Sequence, residues 1–151
     1  MSLLLSASPT AAQLAYGLRA LATSMDDPYR MEEALLAKAL ARGALQGVVA
    51  LEGEDIRGVA AYSAFPSTTR GQIGAFVTDL WVDERMRGTG LGRQLLARVR
   101  DEMAAAWGGS FIRLNYYDDN KGAAGFYDRL GFQPRSQEIW VTLEKERLAA
   151  L

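Results

Sequence analysis

The 151-residue sequence contains no cysteine and no histidine. Without cysteine there is no disulfide, no thiolate metal ligand and no cysteine nucleophile, and without histidine there is no imidazole base or ligand. Ser-His-Asp and Cys-His catalysis are thereby excluded. Any chemistry must rest on carboxylates, tyrosines, lysines, hydroxyls, backbone amides and bound cofactors. An excess of positive charge is also missing. With 17 Lys and Arg against 18 Asp and Glu, few phosphates could be neutralised, and no nucleic acid is expected as a partner. No apolar run approaches the roughly 18 to 20 residues of a membrane span. The opening "MSLLLSASPTAAQLA" reads poorly as a signal peptide, because its three leucines follow no basic residue. The expectation is a cytoplasmic protein with no membrane partner.

What is present is an ordinary globular composition, 49% hydrophobic and 23% charged. The length suits one core and is cramped for two, so a single domain over residues 1–151 is expected. Leu3 to Leu5 suit a first strand. Leu14, Leu18 and Leu21 then recur at helical spacing after Pro9 and Thr10. Asp27 and Pro28 form an N-cap and first-turn pair for a second helix through Leu35, Leu36 and Leu40, closed near Gly43. "GVVALEGEDIRGVAAYSAF" reads as a hairpin around the four-residue loop "EGED". "IGAFVTDLWV" reads as a central strand covered on both faces. Leu91, Leu95, Val99 and Met103 form one stripe of an amphipathic helix. "FIRLNYY" is a further strand, "AAGFYDRLGF" a short helix closed by Gly131, and "EIWVTL" a last strand. The predicted order, βααβββαβαβ, is a mixed α/β fold.

Between the central strand and the striped helix lies "VDERMRGTGLGRQLL", residues 82–96. A strand, a glycine loop and a helix start make an anion site, because free amides and the helix dipole point at the same place. Gly88, Gly90 and Gly92 run G-x-G-x-G, which is not the G-x-G-x-x-G of dinucleotide folds. The Gly-Lys-Ser/Thr of a P-loop is absent as well. A tight turn capping a helix would use similar residues.

A second stretch, "NKGAAGFYDRLGF" at residues 120–132, changes the weighing. Together the two stretches resemble the GNAT superfamily of N-acetyltransferases. Its acetyl-CoA loop, Gln/Arg-x-x-Gly-x-Gly/Ala, is matched by Arg87, Gly90 and Gly92. Its later element, N-x-x-A-x-x-[FL]-Y followed by x-x-x-G-F, is matched by Asn120, Ala123, Phe126, Tyr127, Gly131 and Phe132. The resemblance is strong from about residue 73 to 143 and faint over residues 1–45. It implies a central mixed, mostly antiparallel sheet flanked by helices on both faces, and transfer of an acetyl group from acetyl-CoA directly to an amine.

The resemblance further implies that backbone amides from Gly88 through Thr89, Gly90, Leu91 and Gly92 to Arg93 hold the diphosphate, with Arg87 helping to neutralise it. The strand edge at Leu80, Trp81 and Val82 would pair with the pantetheine arm, as a peptide strand would. An amide there could polarise the thioester carbonyl. Asn120, Ala123 and the following helix start would hold the far side of the arm. Tyr127 falls on the family's general acid. A phenol of ordinary pKa about 10 is protonated at neutral pH and can return a proton to the leaving thiolate. Packing against Phe126 and Leu130 is the alternative reading of this tyrosine. Some relatives carry two acidic residues where this chain has Thr78 and Asp79, which leaves Asp79 as the candidate base. A structural role for Asp79 and deprotonation through water remain open alternatives. The calcium-loop spacing is absent around Asp118, Asp119 and Asn120, and no metal is expected.

The acceptor is legible only as a primary amine of a small molecule or peptide. Asp26, Asp27, Glu32 and Glu33 could attract a cationic amine, or could simply cap helices and face water. A catalytically silent acyl-CoA sensor and an interaction module of the same fold are the competing classes. A homodimer through the last strand is compatible with the pattern.

Overall fold

Thr10 starts the first helix for a local reason. Its hydroxyl accepts a hydrogen bond from the Gln13 amide while the Gln13 side chain accepts one from the Thr10 amide, a reciprocal cap. In the computed structural model, which describes residues 2–135 and 137–151, β1 (Leu3–Ser6) precedes this helix, α1 (Ala11–Ser24), and α2 (Glu33–Ala41) follows it. Then come β2 (Gln46–Glu52), β3 (Asp55–Ser67), β4 (Gln72–Val82), α3 (Leu91–Trp107), β5 (Ile112–Leu114), α4 (Lys121–Arg129) and α5 (Lys145–Ala149). The chain forms two compact units, Met1–Asn115 and Tyr116–Leu151. The first carries the sheet and α1 to α3, the second α4 and α5.

The five strands lie in the order β1-β2-β3-β4-β5. The first four pair antiparallel, and β5 adds to β4 in parallel, so the sheet is mixed and mostly antiparallel. Period-two alternation sorts its residues onto two faces. Val49, Val59 and Ala61 face α1 and α2, where they join Leu14, Ala15, Leu18 and Leu36 in one buried cluster. The approach is close: a Cβ on Gly17 of α1 would stand 2.3 Å from a Val59 methyl. The opposite face receives α3. A Cβ on Gly58 would meet the side chains of Leu95 and Leu91, and the stripe Leu91, Leu95, Val99 and Met103 is buried throughout. Helices therefore flank both faces of the sheet. Among the described residues no helix is long and apolar enough to cross a membrane.

Three expectations are corrected. The second helix starts at Glu33, with Glu32 as its N-cap and no side-chain cap bond, instead of at Asp27 and Pro28. The Asp27 amide bonds back to the Ala22 carbonyl and closes α1, while proline disfavours helical backbone in the residue before it. The hairpin turn holds two residues, Gly53 and Glu54, because Glu52 already pairs with Asp55. Gly53 supplies the positive φ of 62° that such a tight turn requires.

The last strand is absent. Residues 138–143 form no strand, and Ile139 and Val141 are 87% and 89% exposed. Alternating apolar residues give strand propensity but do not supply a neighbouring edge, and a strand forms only where its backbone finds one. The expected homodimer loses the strand on which it rested.

Candidate active site

β4 changes character at Thr78. From Ala75 to Val77 it is paired on both sides, with β3 and with β5. The register against β3 then slips, because Ala61 lies opposite Asp79 while the next residue, Tyr62, lies opposite Val77. Thr78 is thus the extra residue of a β-bulge, and its hydroxyl donates to the Ala61 carbonyl at 3.3 Å. Beyond the bulge β3 continues to pair, but β5 has ended at Leu114. Among the described residues no strand lies along that side of residues 79–82.

Which amides face the gap follows from hydrogen-bond phase. The Asp83 amide donates to the Arg57 carbonyl at 2.8 Å, and antiparallel pairs alternate between bonded and non-bonded. Trp81 opposite Val59 and Asp79 opposite Ala61 are then the next bonded pairs. The backbone groups of Leu80 and Val82 consequently point to the open edge. Trp81, pointing its side chain to the α1 face, packs against the buried cluster and meets Tyr16 edge-on at 5.9 Å. Alternation puts Asp79 on that same face. Burial pushes its carboxyl above the ordinary aspartate value, partly offset by a hydrogen bond from Thr78.

After β4 the chain tightens into a 3₁₀ turn, Glu84–Met86, and then the glycine loop. Gly88 and Gly90 have φ of 75° and 85°, a left-handed conformation that glycine adopts without strain. Open space surrounds the position a Cβ would take on either. Gly90 is the N-cap of α3 and offers no side chain to its amides, and the first turn carries no acidic residue. The Gln94 amide is the first to find a helical acceptor, the Gly90 carbonyl. Among the described residues the amides of Leu91, Gly92 and Arg93 find no acceptor, at the positive end of the helix dipole. The Thr89 amide is not among them, because it bonds to the Met86 carbonyl at 3.2 Å. Leu91 and Gly92 are buried, so they can present only backbone, whereas the Arg87 and Arg93 side chains are exposed beside the turn. Uncapped amides, glycines without side chains and two guanidiniums fit a diphosphate.

In the second unit Asn120 caps α4, its side-chain oxygen accepting from the Ala123 amide at 3.0 Å. The first four residues of the later motif thus make a helix start. Tyr127 sits in an aromatic nest. It stacks on Tyr116 at 5.6 Å and meets Phe126 and Phe132 at 5.1 and 5.4 Å. Burial, with a contribution from Tyr116, pushes its phenol up to about 12. No hydrogen bond holds its hydroxyl among the described residues. The structure therefore brings Asp79, Leu80 to Val82 and Arg87 to Arg93 onto one strand, loop and helix start, while Asn120, Ala123 and Tyr127 share α4.

The strand, the uncapped glycine turn and the later helix all lie within residues 13–132, which match the model of the Acetyltransferase (GNAT) family. The chain belongs to this family. A curated relative, the spermine/spermidine N(1)-acetyltransferase of Bacillus subtilis (strain 168), is 30% identical over 83 residues, 52% of this chain and 53% of that protein. The chain thus spans about half the length of that relative. Among solved structures, an aminoglycoside acetyltransferase from an uncultured soil metagenomic sample superposes with a TM-score of 0.78 at 16% identity, over 95% of this chain and 96% of that one. The ribosomal-protein-alanine N-acetyltransferase of Brucella melitensis biovar Abortus 2308 superposes with a TM-score of 0.74 at 18% identity, over 94% and 99%. These structures share the fold. The sequence missed the bulge at Thr78, for which a threonine inside an apolar strand was the only local signal.

Proposed function

We propose that this GNAT enzyme transfers the acetyl group of acetyl-CoA directly to a primary amine of a small molecule or peptide, with no acyl-enzyme. The observation that carries the reading is the continuity of an open strand edge with an uncapped helix start. The backbone of Leu80 and Val82 is free to pair with the amides of a pantetheine arm, and the arm leads to the turn where Gly88 and Gly90 to Arg93 can hold the diphosphate. Arg87 supplies positive charge. Acetyl-CoA supplies an activated thioester. One of the outward amides at Leu80 or Val82 donates to its carbonyl as negative charge develops there. By the motif they match, Asn120 and Ala123 are further proposed contacts of the arm.

The proton movements remain. Asp79, on the α1 and α2 face, takes one proton from the ammonium, directly or through a water; Tyr127 gives one to the departing sulfur, and the second proton lost by the amine nitrogen restores the phenol. The lack of cysteine is consistent with attack by the amine itself. The test is release of CoA thiol from acetyl-CoA across a panel of polyamines, aminoglycosides, amino acids and short peptides. Amine-dependent release supports the reading and names the acceptor class. Binding of acetyl-CoA with no release across the panel would favour a silent sensor.

Asp79 also carries a stability signature. Its folded carboxyl titrates above its unfolded value, so its contribution is greatest when protonated and is lost as pH rises between the two values. At pH 7 the half-buried carboxylate therefore weakens the fold. Asp79→Asn is expected to lower turnover by roughly 100-fold and yet to melt at a higher temperature than wild type at pH 7. The gap in melting temperature should close as acid protonates the wild-type side chain. Thermal melts at several pH values, with turnover at saturation, check both halves. A variant that keeps full turnover would move the base to another group.

A further inference from the structure

A cluster away from the reacting atoms controls where the glycine turn begins. Arg57 stands at the start of β3, and its side chain is only 12% exposed. Its guanidinium meets three carboxylates: Glu52 at 2.9 Å, Asp55 at 2.9 Å and Asp83 at 3.0 Å. Asp55 is largely exposed, whereas Asp83 is 16% exposed and lies 26 residues along the chain. Asp83 is the hinge between β4 and the phosphate-binding turn. One of its carboxylate oxygens accepts from Arg57 and the other from the Arg85 amide at 3.1 Å. Its own amide bonds to the Arg57 carbonyl, and its carbonyl receives the Met86 amide at 2.8 Å. From there Thr89 bonds back to Met86 and Gly90 caps α3. The run from Arg57 to the first amides of α3 is thus a continuous series of fixed contacts.

Resting on the diphosphate reading above, we propose that Arg57 and Asp83 are positioning residues for acetyl-CoA: their ion pair anchors the strand-to-loop junction and thereby sets the amides that receive the diphosphate. Neither touches the reacting groups. Charge acts in the same direction as geometry, because removing Arg57 takes a shared cation from Glu52, Asp55 and Asp83, leaving Asp83 with Arg85 at 4.0 Å, behind a turn that must accept an anion. The arginine fork is needed, since an ammonium cannot meet the three carboxylates in their present directions.

The test uses the full chain and reads CoA binding by calorimetry together with KM and kcat. Asp83→Asn keeps the side-chain shape and removes the charge. It is expected to raise the Kd for CoA and the KM for acetyl-CoA by about 10-fold, within the usual reach of coupled sites. Turnover at saturating acetyl-CoA should stay within about twofold, since no proton-transfer group has changed. Arg57→Lys should weaken CoA binding by about fivefold for want of the fork, and Asp55→Asn should change it by less than about twofold, as befits an exposed partner. The conservative lysine variant keeps the test decisive should Asp83→Asn fold poorly. CoA affinity unchanged in both Asp83→Asn and Arg57→Lys overturns the proposal, as does a fall in kcat with KM unmoved. If the wild-type protein itself binds no CoA, it is the diphosphate reading that fails.

Discussion

Tyr127→Phe is expected to cut turnover by roughly 10- to 1000-fold, in the range of a lost general acid, while the fold and acetyl-CoA affinity survive. The substitution removes one oxygen and leaves the ring stacked on Tyr116 and wedged between Phe126 and Phe132. With the phenol pushed up to about 12, the acid is fully protonated from pH 5 to pH 9. It therefore places no alkaline limb on the rate in that range. An ordinary thiol titrates near 8.5, so a phenol this weak gives its proton uphill if the sulfur is compared in water. Burial raises a thiolate's proton affinity in the same sense as a phenolate's, which narrows the gap at a sequestered site. Single-turnover measurements of acyl transfer, with CoA affinity taken separately, decide the point. Unchanged turnover would assign Tyr127 to the aromatic core of its unit and nothing more.

Gly90→Ala should raise the Kd for CoA by about 100-fold, the scale on which a small misplacement at a site is felt. Two effects are separable. A non-glycine residue at φ of 85° costs about 1 to 2 kcal/mol, which for a chain of this size lowers the melting temperature by about 2–4 °C per kcal/mol. The new methyl meets no protein atom within 4 Å, so its steric cost falls on whatever approaches the helix amides. Gly43→Ala is the matched control. Its φ is 71° and its surroundings are equally open, but it lies just after α2. Both variants should lose similar stability, and only Gly90→Ala should lose CoA. Equal CoA binding in the two would remove the α3 start from the diphosphate site.

The glycine turn was legible because anion recognition is written locally. Positive-φ glycines, an arginine and a helix start must lie within a few residues of one another, and all do between Arg87 and Arg93. The α3 stripe was legible for the same reason, since helical spacing reports one buried face. Long-range features were not. The Arg57–Asp83 pair joins residues 26 apart, and nothing in "EGEDIR" says which acid the arginine selects. Residues 138–143 show the converse, for the pattern of a strand is present in Ile139 and Val141, but among the described residues no strand pairs with it. Asn120 to Ala123 was legible as a motif, while its mechanical content, a side-chain cap on an amide three residues on, needed coordinates.

Because β5 ends at Leu114, the sheet is one segment short along residues 79–82. Occupied by a pantetheine arm, the gap would make acetyl-CoA a structural strand as well as a reactant. Hydrogen exchange at the Leu80 and Val82 amides should then slow when CoA is added, and ligand held at 100 times its Kd would stabilise the native state by about 2.7 kcal/mol. The lifetime of the enzyme against unfolding and proteolysis would thus follow the supply of its own co-substrate.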